Sequence, residues 1–171
     1  AATEDKIKLY YFPIKGRAEA IRLVLTLTST KFDNIIIEFK DWPEHKPKTP
    51  NLSVPYIDFN GEFIGGSSVI VRFLGERYGL GGSEIENLKL AAAQELVEDT
   101  FQTIAAVFIN KDETKKKDLL GIFTETAIVK LKTLDGKIKN GHIEGIAGKD
   151  GANWTDISVT VMLDACEGLN K

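Results

Sequence analysis

The chain of 171 residues is 43% hydrophobic, 27% charged and 9% aromatic, a balance that suits one folded unit or two small ones and excludes disordered and collagen-like chains. Lys and Arg number 22 against 25 Asp and Glu, a net charge of -3 with neither sign gathered into a long block, which excludes a general nucleic-acid binder. No apolar run reaches the roughly 18–20 residues of a membrane helix and the opening Ala1-Ala2-Thr3-Glu4-Asp5-Lys6 has no secretory signal's apolar stretch, so the chain reads as soluble and cytosolic.

From Lys6 to Phe12, Ile7, Leu9 and Tyr11 share one face at period two, which predicts a half-buried strand ending at Pro13. Beyond Gly16, Ala18, Ile21, Leu25 and Thr28 recur at helical spacing, and a helix is expected over Arg17 to Leu27. Phe32 to Phe39, centred on Ile35-Ile36-Ile37, has the continuous apolar character of a strand covered on both faces. These three make a βαβ unit. Asp41 to Ser53 is polar and carries Pro43, Pro47 and Pro50, so an irregular surface connection is expected. Asn60-Gly61 between Val54–Phe59 and Glu62–Ile64 is the strongest short-range signal for a tight hairpin. Gly65-Gly66-Ser67-Ser68 then leads into Ile70, Phe73 and Leu74, a helix with a serine as its N-cap.

Gly79-Leu80-Gly81-Gly82 reads as a linker, dividing the chain into domains 1–80 and 81–171, the second helical throughout. Leu88, Ala92 and Leu96, continued by Phe101, Ile104, Ala105 and Phe108, mark one long helix. Leu120, Phe123, Ala127, Leu131, Leu134 and Ile138 mark another, ended by Asn140-Gly141. After a glycine-punctuated stretch to Gly151, Asn153 can cap a third helix with Asp156 answering the cap, and this helix carries Ile157, Val161 and Cys166. A single cysteine, with only His45 and His142 beside it, offers neither a disulfide nor a zinc site, so no metal is expected.

Tyr10-Tyr11-Phe12 ahead of Gly16-Arg17-Ala18-Glu19, Asp41-Trp42-Pro43 followed by Lys46, Val54-Pro55 before a hairpin, and the Asn153-Trp154-Thr155-Asp156 helix start occur in an order and spacing that resemble the cytosolic glutathione transferases, the sigma class most closely. The resemblance implies a thioredoxin-like N-terminal domain that binds glutathione, followed by an all-helical domain that helps bind a hydrophobic electrophile. It also implies a cytoplasmic homodimer with no cofactor beyond glutathione as co-substrate. The family carries further helices past the point where this chain stops, at Lys171, so the helical domain is expected to be truncated.

The chemistry sets its own demands. Glutathione has two carboxylates, an ammonium and a thiol whose pKa of about 8.5 leaves little thiolate at neutral pH. A site must grip the charged ends and aim a hydrogen-bond donor at the sulfur. Tyr11, which ends the first strand and matches the family's catalytic tyrosine, is the candidate donor; the strand pattern by itself favours a core tyrosine, and the motif reverses that reading. Arg17 matches a family arginine beside the peptide, or serves a structural ion pair. Trp42 and Lys46 match the family's grip on the glycyl carboxylate through an indole N–H and an ammonium.

Val54-Pro55 matches the family's cis-proline, where backbone groups pair with the cysteinyl part. Ser67 at a helix N-terminus suits the γ-glutamyl carboxylate, or is an ordinary cap. Asp99, which shares a helical face with Glu95 and Glu98, matches the acid that reaches the γ-glutamyl ammonium from the neighbouring subunit, or is a solvated surface charge. Two positions depart from the family: Gly66 stands where a glutamine is usual, and Ser53 where a glutamine or lysine is. These departures leave room for a weakly active or inactive, S-crystallin-like protein. A thioredoxin-like disulfide oxidoreductase would need a cysteine near the first helix, and Cys166 is elsewhere.

Overall fold

The structure is a computed structural model that describes residues 4–143 and 151–169; residues 144–150, the core of the expected glycine-punctuated stretch, lie outside it. The chain divides into two compact units, Ala1–Gly79 and Leu80–Lys171.

The first unit is built on β1 (Ile7–Tyr11), which pairs in parallel with β2 (Asp33–Ile36) and antiparallel with β3 (Tyr56–Phe59); β3 continues into β4 (Glu62–Gly65), giving the order β2-β1-β3-β4. A 3-10 turn, Gly16–Ala18, leads into α1 (Glu19–Leu27), which makes the crossover to β2. The alternation read in β1 is what the structure uses: Ile7, Leu9 and Tyr11 are buried, together with Ile21, Val24 and Leu25 of α1 and Ile57 of β3. Asn60 and Gly61 both take positive φ, 55° and 96°, so Phe59 and Glu62 face each other across a two-residue turn.

Three expectations for this unit are corrected. The strand from the Ile35-Ile36-Ile37 run is not covered on both faces: β2 is an edge strand whose four residues are all exposed, and Ile37, just past it, is the buried one at 4% exposure. An apolar run carries no information about its rank in the sheet. The connection from Asp41 is not irregular throughout, because the 3-10 turn Phe39–Asp41, the single turn α2 (Trp42–His45) and the 3-10 turn Lys46–Lys48 follow one another. Pro43 and Pro47 stand in the first turn of α2 and of the second 3-10 turn, where a missing N–H costs nothing. Finally, α3 (Ser67–Arg77) is capped by Gly66 at φ 104°, and Ser67 is its first helical residue rather than its cap. The turn out of β4 needs a backbone conformation that glycine takes without strain, which moves the cap one residue earlier.

Asp5 ties the start of the unit to its end. Its carboxylate accepts from Arg77 Nε at 2.7 Å and Nη2 at 3.0 Å, from the Tyr78 hydroxyl at 2.8 Å and from Asn60 Nδ2 at 3.0 Å. The Arg77 hydrogen bonds, followed by those of Asn60 and Tyr78, pull its pKa from 3.8 to about 2.

The second unit comprises α4 (Glu84–Ile109), α5 (Glu113–Lys139) and α6 (Trp154–Gly168) among the described residues. Asn153 caps α6 with Asp156 answering it, as the sequence predicts, and two caps not anticipated there are the Ser83–Glu86 capping box at α4 and Asp112 at α5. The Trp154 side chain is fully buried, and its backbone N–H donates to the Leu80 carbonyl at 3.0 Å. The α5 stripe holds at Phe123, Ala127 and Leu134, whereas Ile138 is exposed. The α4 stripe is corrected: Leu88 and Phe108 are exposed, and the buried face runs through Leu90, Ala93, Val97, Phe101 and Ile104. That face also buries Asn87, Gln94 and Thr100, whose local hydrogen bonds to Gly82, Glu98 and Leu96 let polar groups sit inside.

Candidate functional site

Tyr11 closes β1 with its ring 6% exposed and its hydroxyl at the mouth of the turn into α1. The hydroxyl oxygen accepts the backbone N–H of Arg17 at 3.1 Å. That bond leaves the phenolic proton as the group's remaining donor. Burial is the first cause that raises the Tyr11 pKa, opposed by the Arg17 N–H and by the charges of Arg17 and Arg22, so at neutral pH the group is a phenol. Gly16 makes this approach possible. It has φ 44°, and a Cβ there would stand 2.5 Å from the Tyr11 oxygen.

Arg22 braces the same turn. Its Nη1 donates to the carbonyls of Ile14 at 3.2 Å and Lys15 at 3.3 Å and to the Glu19 carboxylate at 2.7 Å, with the guanidinium 5.9 Å from the Tyr11 ring centre. The sequence marks Gly16 within the Gly16-Arg17-Ala18-Glu19 motif but not its approach to Tyr11, and it shows nothing of Arg22's contacts with the Ile14 and Lys15 carbonyls.

Arg17 Nη1 donates to Ser67 Oγ at 3.5 Å, and Ser67 is 8% exposed at the start of α3. Next to it, the Gly66 N–H donates to the Pro55 carbonyl at 3.2 Å, and the Val54–Pro55 bond is cis. Tyr11, Arg17, Ser67, Gly66 and Pro55 thus form one connected set. Ser53 is exposed in the preceding loop. Trp42, half-buried, meets the Phe12 ring edge to face at 5.3 Å, and Phe12 in turn stacks on Phe39 at 4.7 Å. Lys46 follows α2 directly and is exposed, its carbonyl held by the Thr49 N–H at 3.2 Å and hydroxyl at 2.9 Å. Asp99 lies on α4 in the second unit and pairs with Lys130 of α5 at 3.1 Å.

The set brings a buried phenol, a guanidinium and a serine at a helix N-terminus together, groups able to hydrogen-bond a thiol and an anion. Residues 9–84 match the family model for the glutathione S-transferase N-terminal domain. A glutathione S-transferase of Anopheles gambiae is 30% identical over 168 residues, covering 96% of this chain and 81% of its own length. Among solved structures, the prostaglandin synthase D of Nilaparvata lugens aligns with a TM-score of 0.83 at 30% identity, over 96% of this chain and 82% of that one. The sigma class enzyme of Fasciola hepatica aligns with a TM-score of 0.77 at 25% identity, over 95% and 80%. The chain belongs to the glutathione S-transferase family, with the sigma class among its structural neighbours.

Proposed function

We propose that Tyr11 donates its phenolic proton in a hydrogen bond to the sulfur of bound glutathione, lowering the thiol's pKa, and that the thiolate then attacks an electrophilic carbon of a hydrophobic acceptor. The sulfur–carbon bond forms as the acceptor's leaving group departs with its electron pair, and the thiol proton passes to solvent. The observation that carries this reading is the Tyr11 hydroxyl, oriented by the Arg17 N–H and kept protonated by burial. Each unit of pKa depression requires about 1.4 kcal/mol of differential stabilisation, within reach of one donor in a partly dehydrated site. The nucleophile is the thiolate itself, so the step draws on no redox or metal cofactor.

In this reading residues 1–80 form the glutathione-binding domain and residues 81–171 help to hold the acceptor. Trp42 and Lys46 hold the glycyl carboxylate, the backbone at Ser53, Val54 and Pro55 pairs with the cysteinyl part, and Arg17, Gly66 and Ser67 face the γ-glutamyl end. Asp99 meets the γ-glutamyl ammonium from the neighbouring subunit of a homodimer, exchanging its Lys130 partner for the ligand. Gly66 and Ser53 contribute backbone alone, which weakens binding by about 1–3 kcal/mol relative to a site with side-chain amides there. A cytoplasmic location suits a reaction that consumes reduced glutathione.

The Nilaparvata lugens relative is named a prostaglandin synthase, and prostaglandin isomerisation is a second use of the same thiolate here. Calorimetric titration with glutathione, paired with turnover of a chlorinated aromatic acceptor, tests the proposal. Binding with conjugation supports it. Absence of both supports the S-crystallin-like alternative, which the missing side chains at Ser53 and Gly66 favour.

A further inference from the structure

One aromatic cluster of the first unit lies outside the set described above. His45 Nε2 and the Tyr56 hydroxyl are 2.8 Å apart. Tyr56 also stacks on its cross-strand partner Tyr10, with ring centres 4.4 Å apart and planes within 6°. His45 is the last residue of α2, three positions after Trp42 and one before Lys46. Tyr56, 4% exposed, opens β3 immediately after Pro55.

A single helical turn such as α2 has no stability of its own, because fixing its dihedrals gains too few hydrogen bonds. Its place is therefore set by what its side chains grip. Phe12 holds Trp42 at one end, and Tyr56 holds His45 at the other.

The geometry points to His45 and Tyr56 as positioning residues for glutathione. Their hydrogen bond fastens the turn that carries Trp42 and Lys46 to the strand that begins after Val54–Pro55, fixing the spacing between the groups for the glycyl and cysteinyl parts of the ligand. The inference rests on the proposed reading of the site and adds to it two residues that do not touch the ligand. Burial makes the bond matter: a Tyr56 hydroxyl without its partner is left desolvated.

The test uses Tyr56→Phe, which keeps the stacked ring and removes the hydroxyl, His45→Leu, which removes the ring nitrogen, the double variant, and His45→Gln, which restores a polar partner. Calorimetry gives the glutathione Kd, steady-state assays separate KM from kcat, and amide hydrogen exchange follows residues 42–49. Each of the first two substitutions should raise Kd and KM for glutathione by about 3–10-fold, leave kcat at saturating glutathione within about twofold, and speed exchange across 42–49. The double variant should be no worse than the weaker single, because both remove the same bond, and His45→Gln should regain most of the affinity.

Unchanged Kd in Tyr56→Phe and His45→Leu, additive losses in the double variant, or a fall in kcat with Kd constant would overturn the inference. Failure of the wild-type protein to bind glutathione would overturn the site reading itself, and this inference with it. Binding by the wild type with unmoved variants would overturn this inference alone.

Discussion

A phenol shielded from water holds its proton, and a phenol that already accepts one hydrogen bond has a fixed direction in which to give another. Tyr11 meets both conditions. Tyr11→Phe removes the hydroxyl and keeps the ring, so glutathione Kd should stay within about threefold while kcat falls by about 10²–10³-fold, the size of effect seen when one preorganised donor is lost; steady-state kinetics beside calorimetry decide it. Gly16→Ala should also lower kcat. The left-handed backbone costs about 1–2 kcal/mol for alanine, and the new methyl would force the Tyr11 oxygen aside. A melting curve should show modest destabilisation, with the larger loss in turnover. The burial of Tyr11 at the end of β1 was legible from alternation, whereas its proposed role came from the motif. The role of Gly16 was not legible, because it depends on where a side chain five positions earlier ends up.

Among the elements, α6 shows how far local signals reach. Asn153 was readable as a cap, and its Oδ1 accepts the N–H groups of Thr155 and Asp156, each at 2.9 Å. Asn153→Ala should cost about 1 kcal/mol, read as a lower urea midpoint at unchanged slope. Hairpin and capping signals act over a few residues: the Asn60-Gly61 hairpin and the α6 cap held, whereas the serine cap expected for α3 moved to Gly66. The misread elements depend on partners far along the chain. In β2 the apolar run did not reveal an edge position, and in α4 the buried face includes Asn87, Gln94 and Thr100, so hydropathy selected Leu88 on the exposed side. The turn α2 was invisible as a helix because it is one turn long and rich in proline. Its Trp42 and Lys46 were singled out through the family resemblance, which does not depend on backbone shape.

Over the whole molecule, the ionisable groups set the pH range of stability. Asp5 is held at about 2 in the folded chain against an ordinary 3.8, so its contribution is complete above about pH 4 and is lost as pH falls toward 2. Tyr56 is pushed from 10.0 to about 12, by burial first and then by Tyr10, and Tyr11 is raised as well, so folding weakens as pH climbs from about 10 to 12. Denaturant midpoints should fall along both limbs, and Asp5→Asn should flatten the acid limb, with a smaller change on the alkaline one because Asp5 also helps to raise the Tyr78 pKa. The order of elements in the first unit and the helical character of the second were readable because period two and period 3.6 differ clearly. The Asp99–Lys130 pair was not, since it joins two helices whose facing sides no single stripe defines.

In the proposed reading this fold holds glutathione as a thiolate through Tyr11. Ultraviolet absorbance of the bound thiolate, titrated against pH in the wild-type protein and in Tyr11→Phe, tests it most directly. The bound-thiol pKa should lie well below the free value of about 8.5 in the wild type and return toward that value in the variant. A wild-type titration that coincides with free glutathione, or a variant that keeps the full depression, would contradict it.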